Sequence, residues 1–584
     1  MKRCPQCNRV ETDAALKFCR VDGTVLVGDT GSDEYSATQV LPGSPTSEAS
    51  PSSVTSESAL HTSDIAPHSA SPRTVEANES RVGIPPARSW MAQHKIFVTL
   101  AALVAVVGSV GLGLYFHARQ TEVAIDSIAV LPFQNRSADA DTEYLSDGLA
   151  ESLIYRLSQL PNLKVSPTTT VLQYKGPQID PIKVGKDLGV NAVLSGRITQ
   201  RGDNLTISAE LVDVRYNKLL WGEQYERKMS ELLSTQREIA GEIVDKLQLK
   251  VTGQETGLAK HYTESNEAYQ LQLKGRFYFN KRNAEGFRKA LEYFQQAIEK
   301  DPGFALAYSG LADTYDLLGA VEAGGDMRPN DAMPKAKAAA LKAIEIDPSL
   351  AEPHVSLAHV KYYYDRDWNG AEQEFKRAIE LNPNYPQAHH WYALLLVWSG
   401  RTNEGLAEIK RAQELDPLSL SINHTMGWLL CDANRTDDGI EQFRKTLEMD
   451  QTFIVAHHRL AVCYERKGMY DAAIAEFQKV SDLGARTLAL SGLGQAYAAA
   501  GKRNEAQKAL IELQEMSKQR YVSPATFGLI YAALGDKDQA FALLDKSAEE
   551  HDLIMARLKV DQRFDPLRSD PRFAELVRRV GLPQ

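Results

Sequence analysis

The chain has 584 residues, a formal net charge of -10 and five cysteines. That length exceeds what one hydrophobic core supports, so several domains are expected. No strongly basic block stands out, which excludes a nucleic-acid partner by charge, and the uneven cysteines are not a disulfide framework.

The chain opens on Cys4-Pro5-Gln6-Cys7 and then Phe18-Cys19-Arg20-Val21-Asp22-Gly23. Two such knuckles place ligands around one tetrahedral ion, and zinc takes sulfur readily. Residues 1–27 therefore resemble a zinc ribbon holding structural Zn2+ through Cys4, Cys7, Cys19 and Asp22. Asp22 stands where a fourth cysteine is usual. Carboxylate oxygen is an accepted but harder ligand, and a degenerate ribbon without metal is the alternative. Residues 28–95 are rich in Ser, Thr and Pro and read as a disordered linker.

Residues 96–116 form an uncharged apolar run, long enough for a transmembrane helix. Arg81, Arg88 and Lys95 precede it; Glu122 and Asp126 follow. The positive-inside rule then leaves the N-terminus in the cytoplasm. The expectation is a single-pass protein of the bacterial inner membrane with extracytoplasmic, periplasmic C-terminal domains. Ala101, Ala105, Ser109 and Gly113 share one face at four-residue spacing. Small residues so placed let two helices approach, as in a homodimer; a span merely rich in small residues is the other reading.

Residues 122–253 predict an α/β sandwich. Ser127 to Phe133 reads as a buried strand ending at a proline. Leu145, Leu149, Leu153 and Leu157 line one helix face. Val190–Thr199 and Leu205–Val214 alternate as a hairpin around Gly202-Asp203-Asn204. Leu219–Tyr225 is a further strand, and Leu232–Leu249 an amphipathic helix. The blocks IAVLPFQNRSADADTEYLSDGLAESLIYRLSQL, VGKDLGVNAVLSGRI and LVDVRYNKLLWGEQYER resemble the TolB-N-terminal-like (FlgO-like) extracytoplasmic domain. The resemblance implies a place between a transmembrane helix and helical repeats in a bacterial membrane regulator. It implies no catalytic residues here; Asp147-Gly148 and Trp221 serve a turn and the core. Relatives often carry a nucleotide cyclase, a winged-helix domain or a kinase at the cytoplasmic end, where this chain has its ribbon.

From residue 267 to 550 a step of about 34 residues recurs. It carries His390 to His424 to His458, Pro383 to Pro417, Ala378 to Ala412 and Phe443 to Phe477. The pattern resembles about eight tetratricopeptide repeats, a C-terminal all-α solenoid, with residues 551–584 as a capping helix. First helices line the concave side of such a stack. His359, Tyr362, His390, Trp391, Trp398, His424, Trp428 and His458 therefore mark a candidate partner-binding groove. Imidazoles there suit a metal, a pH response or a peptide; packing between helices is the bland alternative. Cys431 and Cys463, on neighbouring first helices, read as buried thiols.

No phosphate-binding loop, kinase set, zinc-protease motif or nucleophile elbow occurs, so no enzyme is expected. The leading expectation is a membrane-anchored scaffold or sensor that binds a protein or peptide. A structural envelope-assembly adaptor, and a regulator recruiting a separate kinase or cyclase through the ribbon, are the alternatives.

Overall fold

A computed structural model describes residues 125–583, apart from 138–141, 161, 177–178, 248–259, 261 and 321–325, and three short strands near the N-terminus. The chain divides into two units, 1–100 and 101–584. In the first, β1 (Lys2–Arg3) pairs antiparallel with β2 (Val10–Glu11) and β3 (Val27–Gly28). Cys4, Cys7, Cys19 and Asp22 lie outside the described residues. So does the apolar run 96–116 with Ala101, Ala105, Ser109 and Gly113. Among the described residues no helix is long and apolar enough to cross a membrane.

The second unit begins with a mixed sheet. β4 (Ser127–Val130) pairs in parallel with β6 (Lys164–Val165) and β7 (Ala192–Arg201). β7, β8 (Asn204–Asp213) and β9 (Lys218–Lys228) follow as an antiparallel meander, and β5 (Gln134–Asn135) pairs with β7. Gly202 closes the β7–β8 turn at φ +61, a conformation that suits glycine. Helix α1 (Glu143–Ser158) buries Leu145, Leu149, Leu153 and Leu157 to 1% exposure or less. Helix Leu232–Lys246 joins it through Arg156 Nε donating to Gln236 Oε1 at 2.9 Å. Gly148 lies inside α1, not at a turn. A Cβ there would meet Leu273 Cβ at 3.0 Å, so the glycine lets α1 lie close on the first helix of the next region.

Eight helical hairpins follow. The first helices are Asn266–Phe279, Ala305–Gly319, Glu352–Val360, Pro386–Trp398, Leu420–Asp432, Ile454–Arg466, Arg486–Ala499 and Pro524–Leu534. Small residues sit where helices cross. Phe294 of the first repeat fits between Gly275 and Gly310; a Cβ at either would come within 2.6 Å of its ring. The third repeat widens into a π-helical turn at Lys361–Asp365, which buries Tyr362 and Tyr363.

Two features close this unit. The α/β core runs without a break into the first two repeats through Tyr269, Leu273, Phe304 and Ala307. The C-terminal segment then turns inward. His551 Nδ1 meets Tyr364 O at 2.7 Å, and Arg366 donates to Asp552 O at 3.5 Å. Leu553, Met555, Leu558 and Phe564 join the repeat core. Only Pro571–Val580 forms the expected amphipathic end helix; it buries Phe573, Leu576 and Val580. Cys431 and Cys463 correct the reading as free thiols. The two form a disulfide between first helices of neighbouring repeats, with Cα atoms 6.6 Å apart.

Candidate functional site

Repeats and α/β domain together line an open cavity of about 1710 Å³. Its walls come from α1, from the segment Pro167–Gln173 and from the first helices of the repeats. Along its wall, the hydroxyls of Thr169 and Thr170 donate to the Asp416 carboxylate, and Gln173 Nε2 donates to Leu418 O at 2.8 Å, joining the α/β domain to the repeats. The volume exceeds the roughly 300–1,000 Å³ of an ordinary small-molecule pocket.

Of the eight groove residues, seven line this cavity: His359, His390, Trp391, Trp398, His424, Trp428 and His458. Tyr362 does not; it is wholly buried against Trp368, Phe375 and Trp398. Most of the others form wall rather than open surface. His390, His424 and His458 are 3%, 8% and 5% exposed. His390 Nε2 meets Thr425 Oγ1 at 2.8 Å, while the His424 and His458 rings pack on Phe443 and Phe477. Burial pushes His390 down to about 3, helped by Arg282 and His359. Burial, with Arg459 nearby, also holds His424 and His458 well below the usual range. All three are neutral at pH 7, so they do not sense pH near neutrality. Among the described residues no group of three or more His, Cys, Asp or Glu is placed to hold a metal.

The neighbouring histidines have a plain structural task. His389 Nδ1 meets Glu408 at 2.6 Å and its Nε2 meets Pro383 O at 3.0 Å. His457 repeats the clasp with Glu476 and Gln451 O. In the repeat between them Asn423 does the same with Gln442 and Pro417 O. The clasp ties each hairpin to the loop before it.

The chain's own tail covers part of the aromatic wall. Arg557 is 2% exposed and lies over Trp428 at 4.3 Å and Trp398 at 5.8 Å. Asp561 at 3.2 Å and Asp432 at 3.5 Å balance its charge.

Where α1 of the α/β domain meets the first repeats lies a charged cluster that the sequence spacing does not mark. Arg276 Nε donates to Glu151 Oε1 at 2.8 Å, and its Nη1 lies 3.4 Å from Asp313. Asn280 also donates to Glu151, and Ser356 to Asp313. Burial raises Asp313 to about 6 and Glu352 to about 7. Arg282 reaches into the same cluster.

The family comparisons meet this geometry at two places. Tetratricopeptide-repeat models match residues 281–325 and 454–483, within the stacked hairpins. The C-terminal region is a tetratricopeptide-repeat solenoid. The α/β domain of this solenoid protein matches the second domain of HilA/YgeH-like transcriptional regulators over residues 124–242. A putative adenylate cyclase 3 of Rhizobium meliloti (strain 1021) is 32% identical over 233 residues, which cover 40% of this chain. The match spans only 39% of that relative's length. Among solved structures, Pseudomonas aeruginosa pilF is 20% identical with a TM-score of 0.27, over 35% of this chain and 91% of its own. YrrB, a TPR protein with an unusual peptide-binding site, is 23% identical with a TM-score of 0.23, over 34% and 95%. Likenesses that low carry nothing about function.

Proposed function

We propose that this chain is a membrane-anchored sensor or scaffold whose α/β domain and repeats bind a protein or peptide as one unit. The observation that carries this reading is the cavity whose walls both domains share. Repeat solenoids bind rather than catalyse, and a partner seated here touches both domains at once. The apolar run 96–116 supplies the anchor, and residues 1–27, with Zn2+ on Cys4, Cys7, Cys19 and Asp22, the cytoplasmic end. The Cys431–Cys463 disulfide supports repeats outside the cytoplasm, because disulfides persist in oxidising compartments.

The test is photo-crosslinking in cells from Trp391, which lines the cavity, against Tyr216 on an exposed hairpin tip. One protein species crosslinked from Trp391 and not from Tyr216 supports the reading. Crosslinks from Tyr216 alone, or none from either, sink it.

The relatives favour a second reading of the output. A putative cyclase and a family of transcriptional regulators share segments with this chain, which fits a regulatory module joined to different signalling ends. The purified chain is then expected to make no cyclic AMP from ATP; production by the chain alone would replace both readings with an enzyme.

A further inference from the structure

Seven of the eight hairpins place a residue with positive φ two positions before the second helix. In four repeats it is glycine: Gly400, Gly468, Gly501 and Gly535, with φ from +71 to +91. The fifth uses Asn434 at φ +62, another residue that tolerates this region. The first and third use arginine: Arg282 at φ +51 and Arg366 at φ +61. A bulky side chain in the left-handed region costs roughly 1–2 kcal/mol. Strain of this kind persists where the side chain serves a purpose.

Arg366 has one. It holds the tail through Asp552 O. Arg282 has no ion pair or side-chain hydrogen bond among the described residues. Its guanidinium lies 4.5 Å from the Phe279 ring centre, and Arg276 lies 4.9 Å from the same ring. Arg276 pairs directly with Glu151 and Asp313; Arg282 feels the same carboxylates only at longer range, with no direct ion pair. Other cations of the cavity wall are engaged, such as Arg288 with Asp326 and Arg563 with Asp561. Desolvation within the cavity and the neighbouring Arg276 lower Arg282 to about 10, against the opposite pull of Asp313, Tyr385 and Glu151. The residue is exposed and lines the cavity.

Beside it the wall is apolar. Phe279, Phe287 and Leu317 form one small core with Trp391 packed against it, and all four line the cavity. One free guanidinium beside carboxylates suits a single negative charge, since a dianion would face Glu151 and Asp313.

We propose that Arg282 anchors the acid group of an amphipathic monocarboxylate, whose apolar part lies on the partly open face of Trp391, which the buried Phe279, Phe287 and Leu317 back from behind. This site goes beyond partner binding and would be the input of the sensor.

Octanoate is the probe, titrated into the purified full chain by calorimetry and thermal unfolding. Octanol carries the apolar part without charge, and inorganic phosphate the charge without the apolar part. The expected result is saturable octanoate binding that raises Tm, with octanol and phosphate at least tenfold weaker. Arg282→Asn borrows the residue of the fifth repeat, so it should fold at least as stably, and should weaken octanoate at least tenfold. Arg288→Asn, on the same wall, should change it less than twofold. No octanoate binding, equal binding of octanol or of phosphate, or undiminished binding to Arg282→Asn overturns the proposal. None of these outcomes bears on the Trp391 crosslink, so the two readings fail separately.

Discussion

His390 illustrates how position in a fold decides what a side chain can do. Its spacing with His424 and His458 suggests a ligand row, but burial keeps it neutral. A buried neutral histidine gives stability that is full above the unfolded pKa of about 6.5 and is lost as pH falls toward 3. The expected slope is about 1.4 kcal/mol per pH unit for such a histidine. Urea unfolding of wild type and His390→Asn at pH 7 and pH 5 checks it; the variant should lose less on acidification. Glu352 works the other way. Its carboxyl is raised to about 7 by burial, so the folded state binds the extra proton and stability falls as pH rises from about 4.5 through 7. Glu352→Gln should therefore be more stable than wild type at pH 8, by about 3 kcal/mol, and equal to it near pH 4. A gain that persists at pH 4 would mean the carboxyl is not strained by its charge.

Between elements, glycine sets the spacing of the solenoid. Phe294 lies against Gly275 and Gly310, and a Cβ on Gly310 would come 2.5 Å from the ring. Gly310→Ala forces the ring or the helix to move and should cost about 1–3 kcal/mol, read as a lower urea midpoint at unchanged m-value. The same replacement at Gly400 meets no neighbour within 4 Å, but φ is +91 there, so its cost would be backbone strain. The clasp of His389, Asn423 and His457 belongs to this scale too. Its partners, Glu408, Gln442 and Glu476, recur with the same step. That regularity is present in the sequence, yet the eye goes to the adjacent row at 390, 424 and 458. Only side-chain direction separates a clasp from a wall, and direction depends on which helix lies beside it.

At the scale of the molecule, the segment 168–174 of the α/β domain is tied to the repeats along the cavity wall. Thr169 and Thr170 on Asp416 join segments 247 and 246 residues apart. Asp416→Ala should raise amide exchange in residues 168–174 while helical content stays intact; unchanged exchange would show that Asp416 does not hold that segment. The disulfide acts on the unfolded chain instead. Cys431 and Cys463 are 32 residues apart, and a loop of that size is worth about 3–4 kcal/mol in the chain-entropy model. Reduction, or Cys463→Ala, should lower the unfolding free energy by that order, and thiol labelling of the described pair should be nil before reduction.

The repeat period, the α/β pattern and the small residues at helix crossings were legible because each is a local or periodic demand. A hairpin needs its glycine or proline at a fixed step, and a buried strand needs its apolar run. The 34-residue step also marks Arg366 as standing where Gly400, Asn434 and Gly468 stand, whereas the insertion in the second repeat takes Arg282 off that step and only the structure shows its equivalence. What the sequence by itself could not determine is who meets whom. The cluster of Glu151, Arg276 and Asp313, the tail arginine on Trp398 and Trp428, and the threonines on Asp416 join residues far apart in the chain. Their pairing follows from the curvature of the stack and from the core that α1 shares with the first repeat. Curvature is a sum of small helix-crossing angles over eight hairpins, and no single stretch of residues encodes it.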